Sequence, residues 1–199
     1  MITDLIHEFG IYFPELKNHH PWELTVRLNE IIRHKIATLD NNYTIEDGIA
    51  IHKSSTIEDR AILKPPLIVS RGCFIGHNAY LRGGVYLGMN SSVGPACEVK
   101  TSLIFSYTEI AHLNFIGDSI IGSRCNFEAG SVLANYFNER ADKIISVLYE
   151  GKTIRTGVEK FGALVGDNCK IGANAVLSPG TILNPGTVVR RLELIEQLK

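Results

Sequence analysis

Arg82 and Lys100 stand 18 residues apart, each directly after an aliphatic residue, Leu81 and Val99. If the chain between them makes one full coil, the two cations lie one above the other. Like charges so placed repel unless an anion lies between or beside them. Phosphate suits the pair, since Arg offers a planar fork and Lys a point charge. Two solvated surface cations fit the same spacing. His112 is the next candidate, because an imidazole titrating near neutral pH can take a proton from a reacting group; an ordinary surface histidine reads the same way. His77 falls on the same side of the pattern two coils earlier, which raises a zinc reading. The two histidines would sit roughly 10 Å apart, and Gly117 stands where a third ligand near His112 is needed, so no metal is expected. Cys73, Cys97, Cys125 and Cys169 admit a disulfide framework, a metal site or a nucleophile. Yet each stands four residues after an aliphatic residue of the repeat described next, in a small inward slot. Buried small hydrophobes account for all four, and free thiols suit a reducing compartment.

The element that must position these residues is a six-residue repeat. Ile51, Ile57, Leu63, Val69, Ile75, Leu81, Leu87, Val93 and Val99 keep strict register. Five-residue steps lead to Ile104, Ile110 and Ile116, and then to Ile121, Phe127 and Leu133. The pattern resumes at Val165, Ile171, Leu177, Leu183 and Val189, which makes 20 positions filled by Ile, Leu, Val or Phe. Gly often follows the apolar residue, at 76, 88, 94, 117, 122, 166 and 172, and reads as a corner needing positive φ. This hexapeptide pattern predicts a mainly β chain, a left-handed parallel β-helix of triangular section with coils stacked about 4.8 Å apart. A solenoid needs covered ends. Residues 21–38 predict an amphipathic helix with Pro21 in its first turn. A shorter helix around 3–9 with Thr3 as N-cap precedes it, and RRLELIEQLK predicts a short closing helix. The interruption at 137–164 holds two β-prone runs around Glu150-Gly151 and reads as a protruding inserted hairpin. The expected division is an N-terminal helical cap, 1–50, and a β-helix domain, 51–199.

Composition narrows the function. The chain has 199 residues, 45% apolar and 21% charged, with a net charge of −1. It is long enough for a real core and too apolar for disorder. Near-neutral charge argues against nucleic acid or an anionic membrane as the main partner. No apolar run approaches the roughly 18 residues of a membrane span. The opening MITDLIHEFG has no basic start and does not read as a signal peptide, so a cytoplasmic protein is expected.

The run HLNFIGDSIIGSRCNFEAGSVLANY, residues 112–136, resembles the acetyltransferase half of the bifunctional N-acetylglucosamine-1-phosphate uridylyltransferase family. The segment FPELKNHHPWEL resembles the approach to the β-helix in related sugar-phosphate nucleotidyltransferases. The resemblance covers roughly residues 51–189 and implies acetyl transfer from acetyl-CoA to the amine of glucosamine-1-phosphate. It implies that His112 is the general base and that Arg82 and Lys100 hold the sugar phosphate. Asn126 matches a substrate-contacting Asn, and Asn135 with Tyr136 matches a pair that contacts the sugar and supports transfer. Ala129 falls where a backbone group meets the acetyl donor. Three positions depart from the pattern: Phe115 replaces a phosphate-contacting Tyr, Glu128 replaces a Gly before the donor contact, and Ala173 replaces a Ser near the CoA arm. Lys170, Arg190 and Arg191 are the basic residues available to CoA phosphates.

That chemistry is self-sufficient. A 2-amino sugar must lose a proton before its nitrogen attacks a thioester, and a histidine can accept that proton. The thioester carries its own leaving group, so no protein nucleophile is needed, while backbone N–H groups or Asn135 are available to the oxyanion. Two alternatives stand beside it: a sugar-phosphate or sugar-nucleotide binding module without turnover, and acyl transfer to another small acceptor. Arg82 and Lys100 lie on one side of the prism and Asn126 on another, which predicts a homotrimer that completes the site across subunits.

Overall fold

The computed structural model describes residues 1–198. Each hexapeptide forms a short strand that pairs in parallel with its counterpart one coil away, and the coils stack into a left-handed β-helix. Three outer faces result. On the first, which we term the open face, Ile57, Ile75, Val93, Ile110, Phe127, Ile171 and Val189 point inward in one column. On the second, the groove face, Leu63, Leu81, Val99, Ile116, Leu133, Leu177 and Ile195 do the same. On the third, the covered face, Val69, Leu87, Ile104, Ile121, Val165 and Leu183 point inward. The inward columns fuse into one core that also takes the four cysteines.

The five-residue steps have a local cause. Residues Arg82–Val85 make a bulge against Lys100–Ser102, so the corner from groove face to covered face loses one residue in the two coils through Lys100 and Gly117. Gly83 and Gly84 turn it with positive φ in the longer coil, and Thr101 (φ 48°) and Asp118 (φ 45°) turn the shorter ones. The glycines that follow the inward residues differ from expectation. Gly76 and Gly88 are not among the positive-φ residues. A Cβ on Gly76 would stand 2.7 Å from the Pro95 nitrogen, and one on Gly88 would stand 2.7 Å from the Ser106 nitrogen. They are glycines because the next coil presses on them. The left-handed residues at the corner between open and groove faces come two positions later, at Asn78, Ala96 and Leu113 (φ 59°, 55° and 59°).

The helices also differ from expectation. Helix α1 spans Ile2–Leu5 with Met1 at its N-cap, so Thr3 lies inside it, and α2 spans Phe9–Tyr12. The long helix is broken at Arg27 (φ −101°, ψ 9°) into α3, Pro21–Val26, and α4, Leu28–Ile36. They lie along a side of the prism rather than over its end. There Phe9, Phe13, Trp22, Leu28 and Ile32 bury the outward residues of the covered face, Ile68, Tyr86, Leu103, Phe105 and Ile120. The first coil is closed instead by Tyr43–Glu46, which pairs antiparallel with Ile49–His52. At the other end no closing helix forms among the described residues. Leu194–Ile195 adds one more parallel strand, and the Gln197 side chain bonds both Ile182 N–H and C=O at 2.8 Å, covering an exposed strand edge. Lys199, the last residue of the expected helix, lies outside the described residues.

The inserted hairpin pairs Ser146–Tyr149 with Lys152–Arg155. Its two-residue turn, Glu150 (φ 49°) and Gly151 (φ 71°), has the double positive φ that matches strand twist. The insertion does not simply protrude: Ile145, Val147 and Phe161 are fully buried with Leu164 and Ile182.

Phe105 joins the helices to the coils, with Phe9, Phe13 and Tyr86 rings 5.9–6.2 Å from its own. Phe105→Ala should cost roughly 3–5 kcal/mol, read as a lower urea midpoint with near-unchanged far-UV circular dichroism below the transition.

Candidate active site

In-register stacking puts Arg82 beside Lys100 and Lys100 beside Gly117 on the groove face. Because Gly117 carries no side chain, Asn135 and Phe115 close over it; a Cβ there would meet the Asn135 amide at 2.8 Å and the Phe115 ring at 2.9 Å. Arg82, Lys100, Phe115, Asn135 and Tyr136, with Glu159 and Lys160 from the end of the insertion, line an open groove of about 500 Å³. The Lys143 ammonium sits 5.1 Å over the Tyr136 ring and donates to the Phe137 and Asn138 carbonyls at 2.9 and 2.6 Å.

The protein relieves the repulsion between its two cations itself. Arg82 donates Nε–H and Nη2–H to Glu98 Oε1 at 2.8 and 2.6 Å. Lys100 Nζ lies 2.5 Å from Asp118 Oδ2, which also accepts from the Asn135 amide. The inference that two stacked cations require an external anion is thereby weakened, because Glu98 and Asp118 supply the charge. Donor capacity remains: Arg carries five N–H groups and Lys three, and Arg82 keeps 36% of its side chain exposed. Glu98 precedes Lys100 by two residues, hence on the same strand face, a signal legible in sequence. Asp118 stands 18 residues after Lys100 and owes its place to the shortened corner.

His112 stands at the corner between groove and open faces, exposed, with no hydrogen bond from its ring among the described residues. Its carbonyl is held by the Gly130 N–H at 3.0 Å and the buried Asn114 amide at 3.2 Å. One coil up, the Ala129 carbonyl accepts from Asn174 N–H, and one further the Ala173 carbonyl accepts from Leu192 N–H. His112, Ala129 and Ala173 thus form one column along the corner. On the open face, lined by none of these three residues, lies a second depression of about 480 Å³ formed by Asn126, Glu128, Lys170, Arg190 and Arg191 among others. Asn126 donates to Glu109 at 3.0 Å, and the Arg190 N–H is taken by Glu193 at 2.6 Å. Arg191 grips Glu128 through Nε and Nη2 at 2.7 and 2.6 Å, and the Ala173 N–H adds a third contact at 2.8 Å. These bonds, Arg191 first, hold the Glu128 carboxyl below its usual value. Within one chain, then, the groove gathers Arg82, Lys100, Phe115, Asn135 and Tyr136. Asn126 and Arg190 stand on another face, with His112, Ala129 and Ala173 between. Sequence reasoning passed over Glu98, Asp118, Glu159 and Lys160.

The cysteines are all free and buried. Burial pushes the Cys73 thiol up to about 11, away from reactivity at neutral pH. Among the described residues no three His, Cys, Asp or Glu side chains are grouped to hold a metal ion. Nor is any helix among them long and apolar enough to cross a membrane.

The family model for the GMPPB C-terminal domain matches residues 63–159, and that for the hexapeptide repeat of succinyl-transferase matches 155–189. Among similar proteins, the bifunctional protein GlmU of Methanococcus maripaludis is 33% identical over 157 residues, covering 77% of this chain and 38% of its own. GlmU of Methanococcus vannielii is 32% identical over 180 residues, 86% of this chain and 43% of its own. A bifunctional sugar-1-phosphate nucleotidylyltransferase/acetyltransferase of Sulfurisphaera tokodaii is 32% identical over 145 residues, 72% and 35% respectively. The chain therefore spans well under half the length of these relatives. A solved structure of a Bacillus cereus protein assigned as an acetyltransferase shares the fold, with TM-score 0.54, 10% identity, and coverage of 72% of this chain and 74% of that one.

Because its folded value is lowered, the Glu128 pairing contributes above the usual carboxyl range and is lost as pH falls through the folded value. Arg191→Ala should move the Glu128 midpoint upward toward its usual 4.5, stopping short because the Ala173 N–H remains, as read by NMR titration of the side-chain carboxyl.

Proposed function

We propose, for a chain that belongs to the hexapeptide-repeat β-helix proteins, that it transfers an acetyl group from acetyl-CoA to the amine of an amino-sugar phosphate, glucosamine-1-phosphate first. The observation that carries this reading is the exposed His112 at a corner, with the Arg82–Lys100 groove on one side and the Lys170, Arg190 and Arg191 surface on the other. In this reading the groove takes the sugar phosphate and the basic surface takes the CoA phosphates, so the two substrates meet at the histidine. Similarity to the bifunctional GlmU proteins over most of this chain supports the same direction.

His112 accepts the proton that the acceptor ammonium must lose. The freed nitrogen attacks the thioester carbonyl and forms the new C–N bond. The tetrahedral intermediate then loses the second amine proton to solvent as its C–S bond breaks. The imidazolium returns the first proton to the departing CoA sulfur, so the amide, the CoA thiol and one released proton are the products. Arg82 and Lys100 fix the phosphate with donors not spent on Glu98 and Asp118. Asn135 spends one amide N–H on Asp118, leaving its second for the sugar or the oxyanion, and Tyr136 borders the sugar. Phe115 offers a flat apolar wall but no hydroxyl. Ala129 and Ala173 stand in the column beyond His112; the Ala173 N–H is spent on Glu128, so the second lone pair of its carbonyl and the Ala129 backbone are what the acyl donor would meet. Asn126 stands on a different face from Arg82 and Lys100, and this separation supports a homotrimer in which a second subunit closes the site.

A second reading has its own support: the match to the GMPPB C-terminal domain over residues 63–159 fits a sugar-phosphate binding module without turnover. The two readings separate in one assay, acetyl-CoA with a panel of amino-sugar phosphates and release of free thiol. On the enzyme reading, His112→Ala should lower kcat by roughly 10²- to 10⁴-fold while sugar-phosphate binding persists. Arg82→Ala should instead raise KM for phosphorylated acceptors by roughly 10- to 150-fold. Wild-type turnover in His112→Ala would exclude the proposed base. Arg82-dependent binding without turnover would favour the module. Light scattering should give a trimer, and a stable monomer at assay concentration would count against the shared site.

A further inference from the structure

The insertion returns to the coils directly beside the groove, and its return is rigidly held. Phe161 is fully buried, its ring 6.0 Å from that of Trp22. The Phe161 N–H donates to the Asn135 carbonyl at 3.1 Å, and the Gly162 N–H donates to the Asp118 carbonyl at 2.9 Å. Gly162 lies so close to the Gly117 carbonyl and the Ser119 hydroxyl that no side chain fits there. The two residues just before this anchor, Glu159 and Lys160, are exposed and line the groove. Their charges stand apart from the others in it. Arg82 and Lys100 are each held by a carboxylate, whereas among the described residues neither Glu159 nor Lys160 forms an ion pair.

We infer that the insertion sets the anion affinity of the groove through this adjacent pair, Lys160 drawing the acceptor phosphate in and Glu159 opposing it. The inference rests on the groove being the sugar-phosphate site proposed above and assigns to that site two residues from outside the coils. The physical reason is charge accounting. Glu98 and Asp118 already cancel the formal charge of Arg82 and Lys100, so the field an incoming phosphate meets is set largely by the uncommitted groups. A solvent-exposed charge so placed acts mainly on ligand association and is sensitive to salt.

The test is isothermal titration calorimetry with glucosamine-1-phosphate on the full chain, at low and high salt. Lys160→Ala should weaken binding about 5- to 20-fold at low salt, with a smaller loss at high salt. Lys160→Arg should preserve affinity. Glu159→Gln should tighten binding by a few-fold, the opposite sign. N-acetylglucosamine, which carries neither phosphate nor ammonium, should respond to neither change. Arg82→Ala serves as the control for the site. If Arg82→Ala abolishes binding while both insertion variants leave it unchanged, or weaken it alike, the inference is wrong and the groove assignment stands. If wild-type protein takes up no glucosamine-1-phosphate, both fall together. Opposite shifts from Lys160→Ala and Glu159→Gln on an Arg82-dependent site would support both.

Discussion

Every functional relation in this protein depends on the parallel register between successive coils. A residue on one face has a fixed neighbour above and below it, and a slip of one residue would exchange inward and outward side chains. Val99 and Ile116 are therefore inside because Leu81 is inside, and the residue after each is outside on the same face. Register turns sequence distance into spatial contact. It brings Arg82 to Lys100, and it stacks His112, Ala129 and Ala173 along one corner. The aliphatic columns enforce it, since apolar surface is lost to water if any coil shifts.

The same register explains an electrostatic arrangement that would otherwise look costly. Stacking on a face fixes Arg82 and Lys100 as neighbours whether or not a ligand is bound. A protein that needed a phosphate to fold would be unstable without it, and Glu98 and Asp118 remove that need. Lys100 and Asp118 are the more buried pair, with side chains 17% and 9% exposed. Their attraction is the less screened of the two. Arg82 and Glu98, at 36% and 32%, are nearer to water, so Arg82 can more easily turn part of its fork to a ligand. The groove is a preformed, neutral ion-pair lattice rather than a bare cationic patch.

Much of this was legible because the repeat is regular. The hexapeptide positions specified the three faces, the inward cysteines and the neighbouring cations. The Glu150-Gly151 turn specified the hairpin. The failures occur where the chain leaves the repeat. Local propensity suggested one helix through 21–38, but Arg27 takes a non-helical conformation so that α3 and α4 can pack separately. The end of the chain, RRLELIEQLK, suggests a short closing helix, yet the preceding coil offers a free strand edge and parallel pairing wins. Glycine after the inward residue suggests a positive φ, but Gly76 and Gly88 do not adopt one, and the closeness of the next coil is what excludes a side chain there. Glu159 and Lys160 could not be found from the repeat, because an insertion of unknown path brings them to the groove. Asp118 was within reach, since it ends the HLNFIGD run, but its partner required the shortened corner.

That shortening ties fold to site. The coil through Arg82 has an extra residue between its groove-face and covered-face strands, and the two that follow do not. In the longer coil the corner after Arg82 is Gly83-Gly84, which carries no side chain to the groove, and α4 sits against it: a Cβ on Gly84 would lie 3.0 Å from the Asn29 nitrogen. In the shorter coils one side-chain-bearing residue with positive φ turns each corner, Thr101 and then Asp118. Removing one residue thus replaces a bare glycine turn by a corner that can carry a carboxylate. At Asp118 that carboxylate reaches down to Lys100 and across to Asn135, while its backbone carbonyl receives the Gly162 N–H where the insertion returns. Lys100, Asn135 and the insertion are all fixed to this one residue. The irregularity in the repeat is therefore where the solenoid departs from a uniform scaffold and acquires a directed arrangement of polar groups.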